Sequence, residues 1–462
     1  MMTTLDQTIA PPWATKPAPA AADSAPAKTA MNLSEMLAAF AAAGTATEPG
    51  WLEEKRFAAR AHAGAVGFPT THDEEWRFTR LKALLEQPLH PAQNAGNPLA
   101  EDEVAAFILG QDWTRLVFLD GRYCPQLSVV PDLGNGVQIC SLRAALANHA
   151  PELERHLTGV ADDKALVFTA LNTALFDDGA FVSVAPNKSV ERPVHLLYLS
   201  TARDAGATAQ VRNLVVVGAR SDVMVLEQYA SLGVEPHFTN AVTELVLGEA
   251  ATVEHCKIQT ENRRAVHIAA VQAQQARASR FTSHSISIGA HLARHQIQTA
   301  FQGENGHCVL NGLYMGRGDQ TVDHHTVVDH AKARCESHEY YHGILSGRAH
   351  GVFNGKIFVR QDAQKTNAKQ NNRNLLLSDD AVIDTKPQLE IFADDVKCTH
   401  GATVGQLDEE AIFYLRARGI GLEHARQIMV RAFANDVVER IPLEPVRAHL
   451  NQLLTERFKD KT

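Results

Sequence analysis

Hydrophobic and polar positions follow three successive patterns along the chain. Up to about residue 178 the pattern is mixed. Apolar positions recur at helical spacing in Leu33–Ala43 and Trp51–His62, and again in Leu142–Leu157 and Asp162–Phe176. Arg115–Gly121 (RLVFLDG) and Gly136–Leu142 (GVQICSL) read as strands. In Thr71–Thr79, Trp76 and Phe78 alternate with charged residues, as in a packing segment half buried against a neighbour. From Ala180 to about Val404 short alternating runs dominate, among them VHLLYLS, NLVVVGA, TELVLG, FTSHSISIG and GVFNGKIFV. No long amphipathic helix interrupts them, which excludes a Rossmann-type alternation of strands and helices. Beyond Val404 the period becomes helical in Gln406–Arg418, Leu422–Asn435 and Leu443–Phe458. The first of these opens on Asp408, Glu409 and Glu410 and closes on Arg416 and Arg418 before Gly419. Acid first, base last and glycine at the stop is the order that the helix dipole and C-cap favour.

The strand-rich middle carries a loose repeat. Small or apolar residues open comparable runs at Ala251, Ala278, Gly306, Ala333, Ala349, Ala381 and Val396. The steps are roughly 27 residues at first and then roughly 16 per turn, the longer early ones read as coils with a protruding hairpin. Short strands at fixed period with small corner residues predict a mainly β protein with a parallel β-helix core. A β-sandwich would carry more tight-turn pairs than the few Asn-Gly pairs in this stretch, Asn305-Gly306, Asn311-Gly312 and Asn354-Gly355. The expected division is a disordered Ala/Pro-rich tail over residues 1–30, an N-terminal helical and α/β unit over 31–178, the β-helix over 179–404 and a helical unit over 405–462. The three last helices would close the open end of the β-helix or dock a partner.

Composition narrows the function. A net charge of −9, with no basic cluster interleaved with aromatics, argues against a nucleic-acid binder. Aromatics are only 6% of the chain, so the core must rest on Val, Leu, Ile and Ala. Six cysteines stand far apart without a C-x-x-C, which fits neither a disulfide framework nor a zinc ribbon and suits a reducing cytosol. No signal-peptide pattern opens the sequence, and no apolar run approaches the ~20 residues of a membrane helix. Neither a phosphate-binding G-x-x-x-x-G-K-[ST] nor a G-x-S-x-G is present.

Two constellations carry candidate chemistry. Cys398 and His400 sit two residues apart on an extended stretch and therefore face the same side. Both are ligand types for soft metals and iron–sulfur clusters, and the adjacent Lys397 would favour the thiolate. Ten of the 22 histidines lie between His284 and His350, densest in Asp323, His324, His325, Asp329, His330, Cys335, His338 and His342. Stacked histidines on adjacent coils would suit a β-helix metalloenzyme, although no H-E-x-x-H is present. Gln370–Asn374 (QNNRN) reads as a β-helix corner.

The segment Asp394–Gly419 resembles the SufD family of the SUF iron–sulfur cluster assembly system, above all in DVKCTHGATVGQLDEEAIFYLRARG. Matching stretches are Glu74–Thr79, Leu171–Val182, Val225–Gly233, Asp323–Leu345 and Gly351–Ser378, so the resemblance spans roughly residues 70 to 440. It implies a right-handed parallel β-helix and a cytoplasmic, non-catalytic scaffold subunit. It implies pairing with the paralogue SufB through the β-helix and with the ATPase SufC through the C-terminal helices. That docking surface is expected among Ile412, Phe413, Ile428, Met429 and Phe433, which are more apolar than two short helices can bury against each other. It implies a transient iron–sulfur cluster at the subunit interface, with none tightly bound to the isolated chain. His400 maps to the family's cluster-site histidine, with Cys398 as a possible second ligand. Asn372 stands where SufB-like chains carry a cysteine. The alternative function is the β-helix metalloenzyme using the histidine-rich coils.

Overall fold

A computed structural model describes residues 33–43, 48–92, 99, 101–148, 150–161, 164 and 166–459. The tail expected over residues 1–30 lies outside them. Past Ala180 the chain alternates between two ten-stranded sheets, each strand pairing with the one two earlier. The ladders are parallel; among the described residues antiparallel pairs lie near the N-terminal end, between Val137–Ser141 and Ala180–Val184, between Thr114–Leu119 and Arg122–Tyr123, and at the isolated bridge of Arg115 with Val129. The result is a parallel β-solenoid of about eight turns. Thr114–Leu119 pairs in parallel with Val194–Ser200, so the N-terminal part supplies a strand to the ladder.

Thr252 pairs with Asp222, Arg280 with Thr252 and His307 with Arg280, so a full turn takes about 30 residues. The sequence spacing of roughly 16 is therefore the distance between the two corners of one turn, and no protruding hairpin is needed. Along one corner, Arg220, Ala250, Ala278, Asn305, Arg334 and Lys365 all take a positive φ of 54–66°. The next residue in each turn packs inward and is small: Ala251, Ser279, Cys335 and Thr366 are at most 1% exposed. Cys335 is thus a corner residue, its thiol directed at the Gly303 carbonyl oxygen 3.4 Å away.

Between the sheets the core combines aliphatic side chains with stacked rings, Phe118 on Tyr198 and Tyr198 on Tyr229 at 4.7 and 4.8 Å. Among the polar groups inside, Glu227 accepts from Tyr229 and Thr243 and faces His255. Gln370–Asn374 is not a corner. It lies within the strand Asn367–Leu376, and its alternate residues Gln370, Asn372 and Asn374 are buried between the sheets.

Helices cover the outer faces. Leu33–Ala43, Gly50–Val66 and Val167–Leu175 pack over the face bearing Phe238, Val266, Ile268 and Leu292. A buried pair fastens them: Arg212 bonds Glu244 at 2.6 Å and the side chains of Asn172 and Thr173 at 3.2 Å. Glu244 also accepts the backbone N–H groups of Thr158, Val160 and Ala161. The segment around Trp76 does pack against the solenoid, with the Arg294 guanidinium 3.9 Å from the indole centroid.

At the other end, Glu409–Arg416 begins with Asp408 accepting the N–H groups of Glu410 and Ala411. The helices Leu422–Val438 and Glu444–Lys459 then fold back along the opposite sheet. Val430, Ala434, Val437, Leu450 and Leu454 bury Leu226, Ile258, Ile286, Leu313 and Ile344. They cover a face of the solenoid and leave its last coil open, because their apolar stripe matches the outward side chains of that sheet.

Candidate functional site at the open end of the solenoid

Among the described residues both sheets end in unpartnered strands: Val382–Ile391 on one, Lys397–Gly405 on the other. Each is hydrogen-bonded along one side only, to His350–Val359 and Asn367–Leu376. Burial falls abruptly at this coil. Val382, Ile391, Phe392 and Val404 are 39–59% exposed, whereas Val352, Phe353, Ile357 and Val359 one turn earlier are at most 2% exposed. Two parallel edges with free backbone groups and exposed apolar side chains form a template for strand addition.

Cys398 and His400 lie on the second of these edges. Cys398 pairs with Ala368 and packs against Ile357, Val359, Ala363 and Ala393, so its side of the strand faces the solenoid interior. His400 shares that side by alternation and is exposed, with no further coil above it. Lys397 is exposed on the opposite side of the strand. Burial pushes the Cys398 thiol up, only partly offset by a hydrogen bond from the Ala368 backbone, so the expected thiolate-promoting effect of Lys397 does not prevail.

Below His400 the register continues inward through Gln370, Glu339 and Leu310. Successive rungs are about 4.8 Å apart. Glu339 accepts from Thr326 Oγ1 at 2.6 Å and from Gln370 Nε2 at 3.2 Å. Its second oxygen and the Gln370 carbonyl oxygen have no hydrogen-bond partner. Burial pushes the Glu339 carboxyl up to about 7. Asn372 lies one rung below Ala402. It donates to the Tyr314 hydroxyl and the Tyr341 carbonyl and accepts from Asn374 and Thr385, which ties the two sheets together. Sequence reading passed over Glu339 and placed Gln370 only in a supposed corner. Tabulating inward positions at intervals of about 30 residues would have aligned both with His400.

The histidine-rich group does not converge. His324 lies between the sheets against Ser287 and Tyr314, and His330 bonds Ser337. His325 sits outside, between Asp323 and Glu75 at 3.0 and 3.1 Å. Burial alone would raise the Asp323 carboxyl, but the Arg294 guanidinium and His325 hold it far below the usual range. His342 stacks on Phe433 on the other sheet, and Asp329 pairs with Arg360. Asp323 and His325 fasten the N-terminal segment through Thr79 and Glu75, His342 meets the C-terminal helices, and these side chains form no common centre.

The expected docking residues divide. Phe413 is 73% exposed, beside Tyr414 at 56%. Ile428, Met429 and Phe433 are half-buried, and Phe433 is committed to His342. Ile412 is 2% exposed and belongs to the core, since it turns inward where the short helix meets the next one. Among the described residues no helix is long and apolar enough to cross a membrane.

A parallel solenoid with helices on both faces and an open terminal coil bearing a thiol and an imidazole is the context for the sequence comparisons. Residues 31–196 match the SufBD protein N-terminal region, and residues 198–433 match the SufBD core domain of SUF system FeS cluster assembly. The chain belongs to the SufBD family of iron–sulfur cluster assembly proteins. It is 35% identical over 419 residues to a SufBD family protein of Synechocystis, covering 89% of this chain and 92% of that protein. It is 33% identical over 396 residues to the iron–sulfur cluster assembly protein SufD of Escherichia coli, covering 85% and 90%. With SufD of Bacillus subtilis it shares 28% over 425 residues, covering 89% and 95%.

Proposed function

We propose that this chain is a cytoplasmic, non-catalytic scaffold subunit that pairs with a SufB paralogue and a SufC ATPase to build nascent iron–sulfur clusters. The observation that carries this reading is the open last coil, with two edge strands in parallel register. A partner with the same kind of edge extends both ladders and buries Val382, Phe392 and Val404. Cys398 and His400 then lie at the seam. His400 offers an imidazole nitrogen donor, as in iron–sulfur sites with mixed ligation, and the partner supplies sulfur. Cys398 is held as a thiol by burial until a metal displaces its proton. Asn372 is fully hydrogen-bonded and cannot supply a thiolate, so the sulfur ligands come from across the seam or from Cys398. The cluster is cargo, present while the subunits are joined.

The surface around Phe413 and Tyr414 is the best candidate for ATPase docking, because large apolar side chains are exposed there on a capped helix. Co-expression with the two partners, followed by anaerobic reconstitution, tests the reading. The expected result is a three-chain complex containing acid-labile sulfide, and an isolated chain without it. An isolated chain that retains stoichiometric iron and sulfide, or one that never joins the paralogue, overturns the reading.

A further inference from the structure

The outer face of the solenoid carries a second set of metal-ligand groups, away from the open coil. His307 begins the strand His307–Gly318, and Glu336 begins Glu336–Gly347 directly opposite it. His338 follows two residues later. Cys308 and Ser337 point into the core, so His307, Glu336 and His338 share the outer side. One donor atom from each lies within 4.8 Å of the others. The imidazole centroids are 5.9 Å apart, and His338 Nε2 is 4.0 Å from a Glu336 oxygen. His338 Nδ1 is buried without a hydrogen-bond partner among the described residues.

From these groups we infer that His307, Glu336 and His338 form a binding site for a single first-row divalent cation of the zinc or ferrous class. Two imidazoles and one carboxylate are the donor set that such ions take while keeping open positions for water or a further ligand. Bonds of about 2.0–2.1 Å place tetrahedral donors roughly 3.4 Å apart, so rotation of two side chains by little more than an ångström closes the set. The backbone beneath is fixed. Glu336 N–H bonds the Gly306 carbonyl at 2.9 Å, and the adjacent corners at Asn305 and Arg334 belong to the stacked positive-φ column. Donors at the first residues of neighbouring strands are therefore held on a rigid frame.

The electrostatics sets the affinity. Burial lowers both imidazoles, aided at His307 by Arg280 and at His338 by His307 and Lys369. Arg280 and Lys369, one turn to either side, also oppose an incoming cation, while Glu336 favours it. Glu336 is half exposed, which leaves the ion open to solvent on one side. The site thus suits reversible loading better than permanent retention, and it stands whether or not the open coil builds a cluster.

The test is titration of the metal-stripped full chain with Co2+, read by its visible absorption, with Zn2+ and anaerobic Fe2+ as competitors. The expected result is one Co2+ per chain in a nitrogen- and oxygen-ligated environment, displaced by Zn2+, Fe2+ or both. The displacement profile distinguishes the two ions. His307→Ala and His338→Ala should each weaken binding on the order of tenfold or more. Glu336→Gln, a substitution at a half-exposed side chain that leaves the fold intact, should weaken it as well. His400→Ala and Cys398→Ser should leave the isotherm unchanged. Absence of a Co2+ spectrum, binding that survives all three site substitutions, or loss of binding in His400→Ala would each overturn the assignment.

Discussion

Glu339→Gln should stabilise the protein above neutral pH and leave its stability nearly unchanged in mild acid. The carboxyl is 1% exposed, two rungs beneath His400, and one of its oxygens has no partner. Burial raises it from an ordinary 4.5 to about 7. The folded state therefore binds this proton more tightly than the unfolded chain between those values. Wild-type stability falls as pH rises through that window and levels off above it. At ~1.4 kcal/mol per pH unit, the accumulated cost above pH 7 is about 3 kcal/mol. A glutamine keeps an oxygen to accept from Thr326 and Gln370, and it places an amide N–H where the carboxyl proton would sit. Paired urea melts of wild type and variant at pH 4.5, 6 and 8 cancel the titration of every other group. The stability difference should grow from near zero to about 3 kcal/mol in favour of the variant. A difference independent of pH, or one that grows toward acid, would refute the reasoning.

Other expectations concern the attachments of the fold. Arg212→Ala leaves the buried Glu244 carboxylate with its backbone N–H donors but without a counter-charge and should cost about 3–5 kcal/mol. The double replacement Arg212→Met with Glu244→Gln should cost less than either single change, which a double-mutant cycle of urea midpoints checks. Phe413→Asp, at a side chain 73% exposed, should abolish capture of the ATPase with an unchanged circular dichroism spectrum and melt. Ile412→Asp should instead lower the melting temperature, because that residue is core.

Much of the fold is legible in the sequence because its signals are local. Alternation in runs such as VHLLYLS and NLVVVGA marks strands, and the absence of intervening helices leaves few parallel architectures. The length of a turn is less legible. Small residues recur at both corners of the turns, so Ala333 and Ala349 look like successive turns when they are the two corners of one. The QNNRN run resembles a turn by composition, yet its alternate residues bond inside the solenoid to partners about 30 and 60 residues away. The pairing of Cys398 with His400 on one strand face follows from adjacency. Glu339 and Gln370 become neighbours of that site only through stacking between turns. The histidine-rich stretch misleads for the same reason: alternation sends His324 and His325 to opposite sides of a sheet. His307 and His338, 31 residues apart, meet because a turn brings them together.

The central claim is that His400, on the open coil, completes a cluster site at the junction with a partner. Anaerobic reconstitution of the three-chain complex carrying His400→Ala, with iron and acid-labile sulfide counted per complex, tests it most directly. The expected result is an intact complex with a clearly reduced cluster content, and an effect of Cys398→Ser that is no larger. An intact His400→Ala complex with wild-type cluster content would contradict the claim and leave His400 as an exposed edge residue.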